Sequence, residues 1–208
     1  MSRWREGLKP VIGLIGGIGA GKSTAARCFK SRGGVVINAD AIGHAALEQA
    51  DIIREILGRW GDRVRKADGS LDRRAIAQIV FANQEDRKAL EEMVFPYIGE
   101  RCKQEIATAQ RDPTVPFVVL DAAVMLEAGW NEIADWIVYL DAPRELRLAR
   151  VAARSGWTDR DLTAREIAQW TPEMKKAKAD AVLINAAGAE ELQLQVDRLL
   201  EGWHLLRQ

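Results

Sequence analysis

The sequence predicts an α/β fold on a parallel sheet, and three observations carry that reading. Short apolar runs recur at 11–15, 35–37, 117–121, 136–140 and 182–184. Stretches of helical character separate them, the order expected of parallel strands joined by crossovers. The first run flows into Gly16-Gly17-Ile18-Gly19-Ala20-Gly21-Lys22-Ser23, which satisfies G-x-x-x-x-G-K-[ST]. That pattern is a phosphate-binding loop set between a strand and a helix.

The spacing has a chemical reason. The glycines let the backbone turn tightly and bring several N–H groups to phosphate oxygens. The helix that follows, read over 24–30 and stopped at Gly33-Gly34, adds its unpaired amides and its dipole. Lys22 supplies a cation for the terminal phosphates, and the Ser23 hydroxyl suits Mg²⁺.

The second run delivers Asn38-Ala39-Asp40 at its carboxyl end. Ligands of open α/β sheets bind beyond that end. The second strand is expected to neighbour the strand of the phosphate loop, which would let Asp40 face the γ-phosphate. Asp40 reads as a Mg²⁺-associated carboxylate, as a base for a substrate hydroxyl, or as the N-cap of the next helix. Asp40 to Gly43 also spells D-x-x-G, but no N-K-x-D follows to make a guanine site.

Residues 41–111 are mostly helical in pattern and far longer than a crossover needs. They read as a helical insertion that holds a second substrate. Ile52, Ile53, Ile56 and Leu57 share a helix face, and Asp72 can cap a helix carrying Ile76, Ile79 and Val80. Pro96 is expected to kink or restart the helix around it.

Asp121 closes the third run as a second candidate carboxylate, and Glu127 is a candidate partner for cations downstream. Pro143 is placed to open a helix. Residues 144–178 hold nine Lys or Arg against five Asp or Glu. Arg147, Arg150 and Arg154 fall on one helix face. Ser155-Gly156 and Thr171-Pro172 interrupt the segment, as in a hinged lid over a triphosphate. A solvated basic face is the plainer alternative. Residues 189–203 form a closing amphipathic helix with Leu192, Val196, Leu199 and Leu200 inward.

Composition narrows the partners. Thirty basic residues balance thirty acidic ones in 208, so net charge gives no argument for nucleic acid. No apolar run reaches membrane-spanning length, and residues 1–10 lack an apolar signal core. Cys28 and Cys102 match no metal or redox spacing and read as reduced thiols, which makes a cytoplasmic protein the expectation. Residues 1–9 read as a loose tail ended by Pro10. His44 and His204 are assigned to helix faces or the surface.

Taken in order, several of these motifs resemble the dephospho-CoA kinase family. The likeness spans 11 to about 203. It includes Gly13 to Thr24, Asn38-Ala39-Asp40, Asp68-Gly69-Ser70-Leu71-Asp72-Arg73-Arg74, Val80-Phe81, Arg87 to Ile98, and Asp121 to Glu127. Arg150, Arg154, Arg165, Gln169, Lys175, Ala179-Asp180 and Asn185 fit its lid and last strand. The chain departs from the family pattern at Asn38, Phe95, Ala123 and Arg147, where Asp, His, Pro and Gln are usual.

The resemblance implies a P-loop NTPase three-layer core with a five-stranded parallel sheet, a helical substrate-binding insertion and a helical lid. The core would comprise 11–40, 115–143 and 180–205, the insertion 41–114 and the lid 144–179. The implied reaction moves the γ-phosphoryl of ATP to the ribose 3′-hydroxyl of dephospho-CoA, with Mg²⁺. Asp40, Lys22 and Arg150 would be catalytic. Gly17, Ile18, Gly19, Ala20, Gly21, Lys22, Ser23, Thr24, Arg150, Lys175 and Asn185 would hold the nucleotide. Asp40, Arg73, Phe81, Arg87, Pro96 and Ile98 would meet dephospho-CoA. Ser23, and Asp40 through water, would attend the metal. Another small-molecule kinase and a nucleotide-binding regulator remain alternatives.

Overall fold

The computed structural model describes residues 7–206. Five parallel strands form one sheet in the order β2-β3-β1-β4-β5. They are β1 (Val11–Gly16), β2 (Val35–Asn38), β3 (Val118–Asp121), β4 (Trp136–Asp141) and β5 (Ala181–Ile184). All six residues of β1 and all four of β3 are buried, as expected of parallel strands covered on both faces.

One face of the sheet packs on α1 (Lys22–Lys30) and α9 (Ala189–Gly202). Ile12, Leu14, Val119, Val138 and Leu140 meet Ala25 and Phe29 from α1 and Leu192, Val196 and Leu200 from α9. Phe29 and Phe117 meet edge to face, with ring centroids 6.2 Å apart. Trp136 and Trp203 stack at 4.5 Å. Both cysteines are free and buried.

The strand order corrects the expected neighbourhood of β2. β3 lies between β1 and β2, with Leu14 and Asn38 both in register with Asp121. β1 is flanked by β3 and β4. The carboxyl edge therefore runs Asn38, Asp121, the phosphate loop, Asp141, then Asn185 just past β5.

The chain divides into two compact units, 1–39 with 103–208, and 40–102. The second contains α2 (Ala39–Ala46) from Asp40 on, α3 (Ala50–Trp60), α4 (Arg73–Ala82) and the first part of α5 (Gln84–Arg111). Asp72 caps α4 as expected, accepting from the amides of Arg74 and Ala75 at 2.9 and 3.1 Å. The Trp60 indole bonds Asp86 and, with a smaller effect from Arg59, holds its carboxyl below the usual carboxylate range. The helix does not restart at Pro96: α5, 28 residues long, continues past it. A proline removes one ladder bond, and the long helical sequence on either side carries the helix past that loss.

Within the first unit, α6 (Arg144–Ser155), α7 (Asp159–Glu166) and α8 (Pro172–Lys178) follow β4. Pro143 caps α6, Thr158 and Asp161 form a capping box on α7, and Thr171 caps α8 with Pro172 at its first turn. The expected loose tail falls outside the described residues over 1–6. At Lys9 it fails: Nζ bonds the carbonyls of Ala109 and Gln110 at 2.8 and 2.9 Å, a cation on a helix C-terminus. Among the described residues, no helix is long and apolar enough to cross a membrane.

Candidate active site

The phosphate loop is shaped by two glycines with left-handed backbone, Gly19 at φ 78° and Gly21 at φ 95°. A side chain would be strained there and would also collide. A Cβ on Gly19 would lie 2.6 Å from the Arg147 carbonyl oxygen, and one on Gly21 would strike Asn185 Nδ2.

Three side chains hold the loop from its buried side. Arg147 Nη1 donates to the Ile18 carbonyl at 3.2 Å. Arg150 Nη1 donates to Gly19 and Ala20 carbonyls at 3.3 and 3.1 Å, while Nη2 reaches the Asn185 carbonyl at 3.0 Å. Asn185 Nδ2 donates to the Ala20 carbonyl at 2.8 Å. With the carbonyls turned inward, the peptide N–H groups turn out.

Helix α1 starts at Lys22 with no side-chain cap on Gly21. Thr24 and Ala25 amides return to the Gly21 carbonyl at 2.9 and 3.2 Å. The Gly21, Lys22 and Ser23 amides are those the helix cannot pair. That donor set, with the dipole behind it and Lys22 beside it, fits a chain of phosphates.

A second cation stands near. Lys175 is only 2% exposed, and its Nζ bonds Glu127 Oε1 at 3.2 Å, Gln169 Oε1 at 3.0 Å and the Ala123 carbonyl at 3.1 Å. Burial pushes its ammonium below the usual lysine range; Glu127 opposes this and the nearby Lys22 charge adds to it. Glu127 thus partners a cation of the 144–178 segment, as expected, and also accepts from the Trp170 amide at 2.8 Å. A cavity of about 550 Å³ opens beside Gly17 and Ile18, walled by Tyr139, Arg147, Ile167, Trp170 and Lys175. Burial, then the Asp141 charge, raises the Tyr139 phenol to about 12, so it stays neutral.

The basic face of α6 resolves into two parts. Arg147 and Arg150 turn onto the loop backbone, whereas Arg154 is exposed. The sequence reading missed the brace formed by Arg147. Its only signal was the spacing shared with Arg150.

In the other unit, Asp40 is exposed in the first turn of α2, with His44 one turn on. Arg73 bonds the His44 carbonyl at 3.3 Å and pairs with Glu48 at 3.0 Å. Arg87 faces Glu91 at 3.8 Å, and Phe81 and Pro96 are exposed. Ile98 is buried, and a Cβ on Gly43 would lie 3.3 Å from its Cδ1.

A parallel sheet whose first strand leads through a glycine loop and Lys22 into a helix defines the class: a P-loop phosphotransferase core. A family model described as dephospho-CoA kinase matches residues 10–191. A dephospho-CoA kinase of Methylococcus capsulatus is 36% identical over 197 residues, covering 94% of this chain and 98% of its own. One from Bacillus licheniformis is 35% identical over 198 residues, covering 93% and 96%. A crystal structure of a Thermus thermophilus protein superposes with TM-score 0.78 at 34% identity, covering 94% of this chain and 98% of that one. Shikimate kinase from Acinetobacter baumannii, at 17% identity and TM-score 0.55 over 93% and 94% of the two chains, shares the fold alone. The chain belongs to the dephospho-CoA kinase family. That family phosphorylates dephospho-CoA to coenzyme A at the expense of ATP.

Proposed function

We propose that this chain transfers the γ-phosphoryl of ATP to the ribose 3′-hydroxyl of dephospho-CoA, with Asp40 serving the acceptor. The phosphate loop carries this reading: its carbonyls are bound behind, and its amides and Lys22 are left for phosphate. Lys22 and Lys175 neutralise the negative charge that gathers on the β- and γ-oxygens as the bond to the leaving group lengthens. Arg150 and Asn185 keep the donors aimed, so little reorganisation is needed during transfer. The Ser23 hydroxyl, and Asp40 through water, would hold Mg²⁺, which would add charge neutralisation on the same oxygens.

A ribose hydroxyl is a weak nucleophile at neutral pH, so a carboxylate that accepts its proton as the phosphoryl arrives speeds the step. Asp40 suits that task. It is exposed, and it follows β2 by two residues at the carboxyl edge of the sheet. The unit 40–102 would hold the acceptor through Arg73, Phe81, Arg87 and Pro96, and 144–179 would close as the lid.

The test is Asp40→Asn, which keeps shape and removes charge. It is expected to bind ATP within a few-fold of wild type and to lose ~100-fold or more in turnover, the scale of a lost general base. Equilibrium ATP binding and ADP release with dephospho-CoA are measured on the same protein. Normal turnover would remove Asp40 from the reaction and make Asp121 the next carboxylate to replace.

A further inference from the structure

Arg147 touches three segments at once. Nε donates to the Ala142 carbonyl at the end of β4 at 3.2 Å, Nη1 to the Ile18 carbonyl of the phosphate loop at 3.2 Å, and the same Nη1 to Glu166 on α7. Its side chain is only 10% exposed. The backbone of α6 at this residue lies directly under the loop, with Arg147 Cα 3.1 Å from where a Cβ on Gly19 would be. Nη1 stands 3.2 Å from the corresponding point on Gly17.

Glu166 is as well defined on its side. It ends a helix fixed by the Thr158–Asp161 capping box. Arg144 Nη2 bonds Thr163 at 2.8 Å on that helix, and Arg144 Nε lies 3.9 Å from Glu166 Oε2. One guanidinium nitrogen therefore serves both a loop carbonyl and a lid carboxylate. Arg147 and Glu166 also line the same cavity beside the loop. Without Arg147, the Glu166 carboxylate would face that cavity, beside Gly17 and Ile18, with less of its charge offset.

We propose that Arg147 and Glu166 are a positioning pair that couples the shape of the phosphate loop to the placement of α7, so that nucleotide in the loop fixes this part of the lid. The proposal rests on the loop being an ATP site. It concerns nucleotide binding alone, and so is independent of which acceptor the enzyme uses.

The experiment is equilibrium binding of ATP with Mg²⁺, acceptor omitted, to wild type, Arg147→Gln, Glu166→Gln and the double variant. Hydrogen exchange of the α7 amides is followed with and without ATP. Arg147→Gln is expected to weaken ATP about tenfold, the scale of one lost charge-assisted hydrogen bond. It should also abolish the ATP-induced protection of α7. The double variant should bind no worse than Arg147→Gln, because removing the Glu166 charge relieves what the first change exposed. Arg160→Gln, an exposed charge on the same helix, should bind like wild type. If Arg147→Gln does not fold, Glu166→Gln alone must still lower the ATP-induced protection. Two results overturn the pair: wild-type affinity and protection in Arg147→Gln, or effects that multiply in full in the double variant. Absence of ATP binding by wild type would overturn the loop reading, and the pair with it.

Discussion

On its buried side the phosphate loop gives the carbonyls of Ile18, Gly19 and Ala20 to Arg147, Arg150 and Asn185. On its open side it presents the Gly21, Lys22 and Ser23 amides at the start of α1, whose first residue is Lys22. Cations stand on both sides, but their work differs. Behind the loop their charge is used on protein oxygen, which fixes the shape of the loop. In front, charge is kept for the phosphates. Losses in front should therefore lower turnover in a protein of normal stability. Losses behind should weaken nucleotide binding and loosen the fold together.

The largest effect expected is in front. Lys22→Ala should cost at least ~100-fold in turnover, the scale of a lost preorganised donor to the transition state. Its thermal midpoint should match wild type, because among the described residues no hydrogen bond or ion pair holds its side chain. Near-normal turnover in that protein would break the comparison at its strongest point.

Behind the loop, Arg150→Ala removes three bonds to carbonyls. It should raise the ATP KM about tenfold and lower the melting temperature by several degrees, as expected when charge-assisted bonds to backbone are lost. A fall in kcat with unchanged KM and melting temperature would move Arg150 to the front.

Lys175 sharpens the contrast, since it is both buried and close to Lys22. Its folded pKa is lowered from 10.5, chiefly by burial. Between the lowered value and 10.5 the unfolded chain binds more protons than the folded one, so this group makes stability rise with pH. Turnover should move the other way, as the ammonium loses its proton earlier than an ordinary lysine would. Lys175→Arg should shift that alkaline fall to higher pH. An unshifted profile would show that another group causes it.

The smallest effect belongs to Arg144, whose bonds go to Asp159 and Thr163 on α7 and not to the carbonyls of the loop. Arg144→Ala should keep turnover within about threefold of wild type, as for an exposed ion pair. Losses equal to those of Arg150→Ala would indicate a general field of positive charge in place of a division between two sides.

Much of this was legible in the residues. The glycine-lysine loop specifies strand, turn and helix together, and Asp72 announces α4 because a carboxylate before a helical run satisfies its first amides. The order of the strands was not legible. Buried parallel strands are apolar throughout, so nothing in Val35-Val36-Ile37 says which neighbour it takes, and the return of β3 between β1 and β2 is decided by packing. Arg147 was hidden for a related reason. An arginine aimed at loop carbonyls has the same spacing as one aimed at water, and only the close approach of α6 to Gly17 and Gly19 separates the two. At Pro96 the helix continues where a restart was expected, within 28 residues of helical sequence.

The place of β3 has a consequence for how the protein is made. Among the described residues, β1 finds its strand partners in β3 and β4 alone, and β2 in β3 alone. A chain emerging from the ribosome has both of its first strands yet cannot pair either until Asp121 has cleared the exit tunnel. By then all of 40–102 is outside and free to form its helices from local contacts, which form fast. Pre-forming those helices shortens the effective loop that β3 must close to reach β1. The helical unit is thus due to order before the sheet on which the nucleotide site is built.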